Sequence, residues 1–311
     1  MEKTSKIYIA GHEGLLGSAL VNKLGESGFK NLLLKTDSEL NLFDQKQVAD
    51  FFQNEKPEYV FMAASKSGSI KANIEYPADF IYENLIIQNN IIHNAYLNGV
   101  RKLLFFGASC VYPKESPQPI KEEYFLTGKM ESTSAPYATA KAAGIMMCRA
   151  YNKQFGTDFI SAIPATPYGP GDRFDPESSH VLSSLMRKFY EAKTQNLPEL
   201  VLWGSGEPKR EFIFIDDLAD ACVFIMNQPT EFDFLNIGAG LDLTIKDLAN
   251  KMKALIGFEG EIKWDTTKPD GAMKKLLDTE RLHSIGWAHK TDLEQGLQKT
   301  YDWFTANYGK F

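Results

Sequence analysis

The chain has 311 residues, 43% hydrophobic and 24% charged, a composition of folded globular proteins that excludes disordered and membrane-embedded classes. Lys and Arg number 34 against 40 Asp and Glu, and the net charge of −6 argues against a nucleic-acid partner held by a broad basic face, although a local basic pocket for one phosphorylated small molecule stays open. Cys110, Cys148 and Cys222 show no CxxC spacing, so neither a disulfide framework nor a metal site is expected, and a reducing cytoplasm fits best. The apolar stretch at residues 7–10 is too short for a signal-peptide core and none approaches ~18 apolar residues, so no membrane association is expected.

In chain order, short apolar runs at residues 6–10, 31–34, 59–63, 102–106 and 159–163 read as buried strands. Helical stretches at 15–26, 45–54, 77–97 and 137–154 separate them. This alternation predicts βαβ units and a parallel sheet with helices on both faces. After about residue 165 the rhythm breaks at Pro164, Pro167, Gly169, Pro170 and Gly171, and shorter elements follow. Residues 1–165 are expected to form a dinucleotide-binding domain and 166–311 a smaller C-terminal α/β substrate lobe. Either 212–215 or 234–237 is a candidate to return to the first sheet, and an amphipathic helix at 293–303 closes the lobe.

Gly11, His12, Glu13, Gly14, Leu15, Leu16 and Gly17 lie between the first strand and first helix, with the glycines spaced G-x-x-G-x-x-G. Glycines there allow a tight turn and close approach of backbone N–H groups to a pyrophosphate at a helix N-terminus, the signature of a Rossmann-type doubly wound sheet. Asp37 lies 20 residues beyond Gly17, where a carboxylate can accept both adenosine ribose hydroxyls. It would repel a 2′-phosphate, Glu13 adds a second negative charge, and Lys35 offsets part of it, so NAD(H) is favoured over NADP(H).

Tyr137 and Lys141 stand at i and i+4 on one helical face, just after Pro136. An ordinary phenol titrates near ~10, so acid–base work near neutrality calls for a neighbouring cation, and Lys141 is placed to be one. The fourth strand ends in Gly107-Ala108-Ser109-Cys110-Val111-Tyr112-Pro113, at the edge where open α/β sheets bind ligands.

At this point the chain resembles the extended short-chain dehydrogenase/reductases that modify nucleotide sugars, and within them the GDP-L-fucose synthase group. The resemblance runs through Gly11-His12, Glu39-Leu40-Asn41-Leu42, Tyr76-Pro77-Ala78-Asp79-Phe80-Ile81-Tyr82, Ser109-Cys110-Val111-Tyr112-Pro113-Lys114 and Tyr137-Ala138-x-Ala140-Lys141. It continues in Tyr168-Gly169-Pro170, Ser179-His180-Val181, Trp203-Gly204-Ser205-Gly206, Arg210-Glu211-Phe212, Lys268-Pro269-Asp270-Gly271 and Lys275-Leu276-Leu277-Asp278. It implies epimerisation of a GDP-4-keto-6-deoxy sugar at C3 and C5, followed by reduction of the 4-keto group with a nicotinamide cofactor. It assigns proton exchange to Cys110 and His180, hydride chemistry to Tyr137 and Lys141, and cofactor contacts to Lys141, Ala63 and Pro164. Arg187, Lys188, Trp203, Arg210 and Lys275 are implied for the nucleotide end, and a homodimer is the expected assembly. The chemistry is consistent, because a 4-keto group acidifies its neighbouring C–H bonds and inversion needs a proton taken from one face and returned to the other.

Three departures fall around the cofactor and the reacting sugar. Ala108 stands where the family carries a Ser or Thr that hydrogen-bonds the reacting oxygen; the adjacent Ser109 is kept as a catalytic candidate, although an extended backbone would point it to the other side. Glu13 and Asp37 replace arginines that hold an NADPH 2′-phosphate. Thr166-Pro167 replaces an Asn–Leu pair, and Ser65-Lys66-Ser67-Gly68-Ser69 replaces an Ala-Lys-x-Gly-Gly segment. Two further readings therefore stay open: an epimerase that retains NAD with no net redox, and a non-catalytic nucleotide-binding relative.

Overall fold

The computed structural model describes residues 1–175, 179–229, 231–268 and 270–310. The first half contains β1 (Ile7–Ala10), α1 (Leu15–Glu26), β2 (Leu32–Leu33), α2 (Gln45–Glu55), β3 (Tyr59–Met62), α3 (Ile70–Glu75), α4 (Pro77–Leu97), β4 (Lys102–Phe106), α5 (Ala135–Phe155) and β5 (Phe159–Pro164). It is followed by β6 (Thr166–Tyr168), α6 (Val181–Thr194), β7 (Glu199–Trp203), β8 (Lys209–Phe214), α7 (Ile215–Asn227), β9 (Phe234–Ile237) and β10 (Asp242–Thr244). The chain ends with α8 (Ile245–Ile256), β11 (Glu261–Asp265), β12 (Lys274–Lys275), α9 (Glu280–Ser284) and α10 (Leu293–Asn307).

Six strands form one parallel sheet in the order β2-β1-β3-β4-β5-β9. Helices α1 and α7 pack together, as do α2, α4 and α5, and these layers flank the sheet. Burial on both faces explains why strands such as β1 and β4 are apolar throughout. The strand order reverses between β1 and β3, so the loops after these strands open into the crevice where doubly wound sheets bind ligands.

Of the two candidate returning segments, 234–237 is β9 and pairs with β5. Segment 212–215 does not join that sheet: it ends β8, pairs with β6, and runs into α7. The reason is its two-sided burial, since Ile213 and Ile215 face the first core while Phe212 and Phe214 face the second. That second core is built from α6, α8, α10 and β8, with Phe174, Phe189, Met252 and Phe304 among its members. The first core also takes Leu277, Leu282 and Trp287, so the chain returns to it later than the segments around 212–240.

Candidate active site

The glycine loop is shaped by close backbone contacts. Gly11 has φ +76°, and a Cβ there would lie 2.7 Å from the backbone of Ala64, just past Ala63 at the end of β3. A Cβ on Gly17 would come within 2.0 Å of the Gly11 carbonyl oxygen, so the start of α1 can approach the loop only without a side chain. Gly14 differs, because its Cβ position meets nothing nearer than 3.5 Å. It is the N-cap of α1, with no side-chain cap and no acid in the first turn, and Leu15 and Leu16 follow half-buried. The open N–H groups and positive helix end suit a pyrophosphate. His12 adds a buried Nδ1 with no hydrogen-bond partner among the described residues. Past β2, Glu39 accepts from the Thr36 N–H and hydroxyl, both at 2.9 Å, and these bonds hold its carboxyl below the usual range. Glu13 and Asp37 are both exposed. Together these residues fit a nicotinamide dinucleotide. Pro164 sits half-buried at the end of β5, along the same edge.

Helix α5 lies unusually close to β4, because Gly144 replaces a side chain whose Cβ would fall 2.3 Å from the Phe105 ring. This approach lets Lys141 Nζ donate to the Phe106 carbonyl at 2.9 Å. One turn earlier, Tyr137 meets Phe80 edge-on, with ring centroids 5.9 Å apart. Burial brings the Lys141 ammonium down to about 8, and the field of Cys110 opposes that shift. The expected lowering of the Tyr137 phenol is corrected by the structure: burial first, then Cys110, push it up. A phenol held neutral is suited to donating a proton.

Cys110 lies in the short 3₁₀ turn Ser109–Val111, with Ser109 half-buried beside it. Burial pushes its thiol up, while the cations of Lys275 and Lys141 pull it down. Cys148 and Cys222 differ from it, being fully buried in the first core.

His180 is the N-cap of α6. No hydrogen bond or ion pair among the described residues joins it to Cys110; its charged neighbour is Asp172. Asp172 is buried, accepts from the Arg173 N–H at 2.7 Å and from the Ser183 hydroxyl, and burial pushes its carboxyl up. Sequence reasoning missed Asp172, although it stands directly after the Gly169-Pro170-Gly171 turn.

Of the residues expected at the nucleotide end, Arg210 on β8 pairs in register with Lys275 on β12. Its Nη1 donates to the Lys209 and Ala272 carbonyls at 2.7 and 2.6 Å. Asp270, named in the sequence motif but given no role there, accepts from the Ser205 N–H at 2.9 Å and hydroxyl at 2.7 Å and its charge reaches Arg210. Pro269 of the same motif lies outside the described residues. Trp203 is 64% exposed, and Lys268 Nζ stands over its ring, 5.5 Å from the centre. Arg187 is engaged within the protein, donating to Glu191 at 2.7 Å and to the Phe174 carbonyl at 2.9 Å. Its neighbour Lys188 has a lowered ammonium because of burial. Among the described residues no group of three His, Cys, Asp or Glu could hold a metal ion, and no helix is long and apolar enough to cross a membrane.

An uncapped glycine loop, a Tyr–Lys pair and a strand-end thiol on one doubly wound sheet define a nucleotide-sugar-modifying dehydrogenase/reductase fold. Residues 7–238 match the NAD dependent epimerase/dehydratase family, and the chain belongs to it. Within it, the chain falls in the GDP-L-fucose synthase group of the extended short-chain dehydrogenase/reductases. It is 55% identical to a protein named putative GDP-L-fucose synthase 2 of Arabidopsis thaliana, over 99% of this chain and 94% of that one. It is 47% identical to the GDP-L-fucose synthase of Escherichia coli strain K12, over 98% of each. Among solved structures, the GDP-mannoheptose C4 reductase of Campylobacter jejuni with NADP bound is 42% identical, with a TM-score of 0.89 over 98% of this chain and 99% of that one.

Proposed function

We propose that the chain epimerises and reduces a GDP-4-keto-6-deoxy sugar in one site. The observation that carries this reading is the cluster at the end of β4, where the buried Lys141 and Cys110 and the half-buried Tyr137 act on one another's charges, on the same sheet as an open dinucleotide cradle. The bound dinucleotide supplies the hydride. Tyr137, held neutral, gives a proton to the oxygen at C4, and Lys141 is fixed beside it by the Phe106 carbonyl. Cys110 and His180 take and return the protons at C3 and C5, for which a thiol and an imidazole have suitable acidities. Arg210 holds the diphosphate through parallel hydrogen bonds, Lys188 adds charge, and the exposed ring of Trp203 takes the base.

A preference for NAD(H) is supported by two exposed acids, Glu13 in the glycine loop and Asp37 after β2, whose charges would repel a 2′-phosphate bound beside them. Retained NAD with no net redox is the second reading, and the same two acids support it. The relative bound to NADP argues for the phosphorylated form, so paired dissociation constants for NADH and NADPH decide the matter. The exposed Tyr82, Met146 and Phe155 on α4 and α5 suit a homodimer, which sedimentation velocity tests.

The deciding experiment is anaerobic incubation with GDP-4-keto-6-deoxy-mannose in D₂O, followed by NMR. Wild type should place deuterium at C3 and C5 and consume reduced cofactor. Cys110→Ser should block exchange, His180→Gln should allow an early exchange without completion, and Tyr137→Phe should slow reduction by roughly 10²–10⁴-fold. Exchange without cofactor consumption favours the second reading; wild-type exchange in both the Cys110 and His180 variants removes these residues from the chemistry.

A further inference from the structure

We propose that Lys275 is the cationic partner of Cys110, a positioning residue that favours the thiolate during proton exchange and not a nucleotide-binding group. The proposal rests on the reading of Cys110 as a proton-exchanging residue.

The first observation concerns the thiol. Cys110 belongs to neither hydrophobic core and keeps 9% exposure, whereas Cys148 and Cys222 keep none. The second is a seam of bonds that fixes the backbone around Lys275. The strand pair β8–β12 ends at Lys275, and the next residues are tied to the loop downstream of Cys110. The Leu276 N–H donates to Gln118 Oε1 at 2.8 Å, the Ile120 N–H to the Leu276 carbonyl at 2.7 Å, and the Asp278 N–H to the Ile120 carbonyl at 2.8 Å. The Leu277 N–H donates to the buried Glu211 carboxylate at 2.8 Å. Lys275 is therefore held in place by its backbone.

The third observation is the ammonium's surroundings. Among the described residues, no hydrogen bond or ion pair within 4.0 Å engages Lys275 Nζ. The charges that face it are Arg210 across the strand pair, Glu131, and Cys110. Glu131 is already paired with Lys114 at 3.1 Å, and Arg210 is a like charge. Lys275 is half-buried, and a cation partly withdrawn from water is stabilised by an anion beside it; with Glu131 already paired, the thiolate is the anion left to do so. The groups that face Cys110 are Lys275, Lys141 and Tyr137. Lys141 is anchored to the Phe106 carbonyl, which leaves Lys275 as the cation whose task is otherwise undefined. Burial lowers Lys275 while Cys110 raises it, as expected of two groups that stabilise each other's charged forms.

The test follows alkylation of Cys110 by iodoacetamide on the intact enzyme as a function of pH, read by mass spectrometry, with Cys110→Ser confirming the labelled site. Lys275→Gln should move the midpoint up by about one pH unit and slow alkylation at neutral pH roughly tenfold, while Lys275→Arg stays close to wild type. A Gln variant with the wild-type midpoint, or an Arg variant shifted as far as the Gln variant, overturns the pairing. A reciprocal arm covers the case in which the Gln variant does not fold. In Cys110→Ser, Lys275 should become acylated by acetic anhydride at lower pH than in wild type, and an unchanged profile overturns the proposal. Both arms read side chains without sugar, so their failure removes the pairing alone. Undiminished deuterium exchange in Cys110→Ser would instead remove the role of Cys110.

Discussion

The Tyr112 hydroxyl donates to Asn236 Oδ1 at 2.6 Å, joining the turn that carries Cys110 to strand β9. Asn236 Nδ2 then donates to the carbonyls of Ile120 and Asp278 at 2.9 and 3.0 Å, and its N–H to Glu122 Oε1 at 3.0 Å. One fully buried amide thus fixes the turn of Cys110, the loop beyond it and the segment after Lys275 against each other.

Replacing Asn236 by Leu strands a hydroxyl and two carbonyls, each worth roughly 1–3 kcal/mol when left unpaired in the interior. We expect a loss of roughly 3 kcal/mol or more in urea unfolding. Tyr112→Phe, which removes a single partner, should cost roughly 1–2 kcal/mol. Equal effects of the two changes would mean that the node is not shared.

Ala108 is extended, at φ −153° and ψ 149°, immediately before the turn of Cys110. Ala108→Ser introduces the hydroxyl that the family places there. A missing donor of this type costs roughly 10²–10³-fold, so restoring it should raise single-turnover reduction of the 4-keto sugar at least roughly tenfold. An unchanged rate would mean that another donor already serves the reacting oxygen.

Burial lowers Lys141 to about 8, against ~10.4 for an unperturbed lysine. Between those values the unfolded chain binds the proton more tightly, so the wild type gains stability as pH rises through the window, and this gain is absent at neutral pH, where both states are protonated. Lys141→Met has no such proton. From about pH 8 to about pH 10 the wild type should gain on the variant by about 1 kcal/mol per pH unit in urea unfolding. A gap that stays constant with pH would sink the assignment.

The exposed Asp37 also gives a cofactor prediction. Asp37→Arg replaces a repelling charge with a bidentate phosphate binder, and should shift the ratio of NADPH to NADH dissociation constants toward NADPH by about tenfold or more. Isothermal titration of both cofactors reads the ratio, and an unchanged value places the 2′-hydroxyl away from this side chain.

Much of the first sheet was legible because each strand is a continuous apolar run and each covering helix is long. Helix α3 was not, since Asn73 is its one buried residue and its start is marked by the Ser69 cap alone. Segment 212–215 looked like a sheet strand because an apolar run does not disclose that its alternate residues serve different cores. Tyr137 and Lys141 stood out through local spacing, and Cys110 through the strand-end motif that carries the family resemblance. The direction of the Tyr137 shift did not, because an i+4 lysine is visible in sequence and burial is not. The Asp172–Ser183 bond and the charges around Lys275 link distant positions, and no local pattern announces them.

Strand β9, helix α7 and the trio Leu277, Leu282 and Trp287 complete the first half only after much of the second has been laid down. A chain severed after residue 165 would therefore lack its outermost strand, one flanking helix and part of its interior, and neither fragment would be a self-sufficient module. Exchange of the second half between relatives by recombination is disfavoured by the same interleaving. Change is easier in the loops above the sheet, such as that of Ala108 and residues 65–69, than in the lacing beneath them.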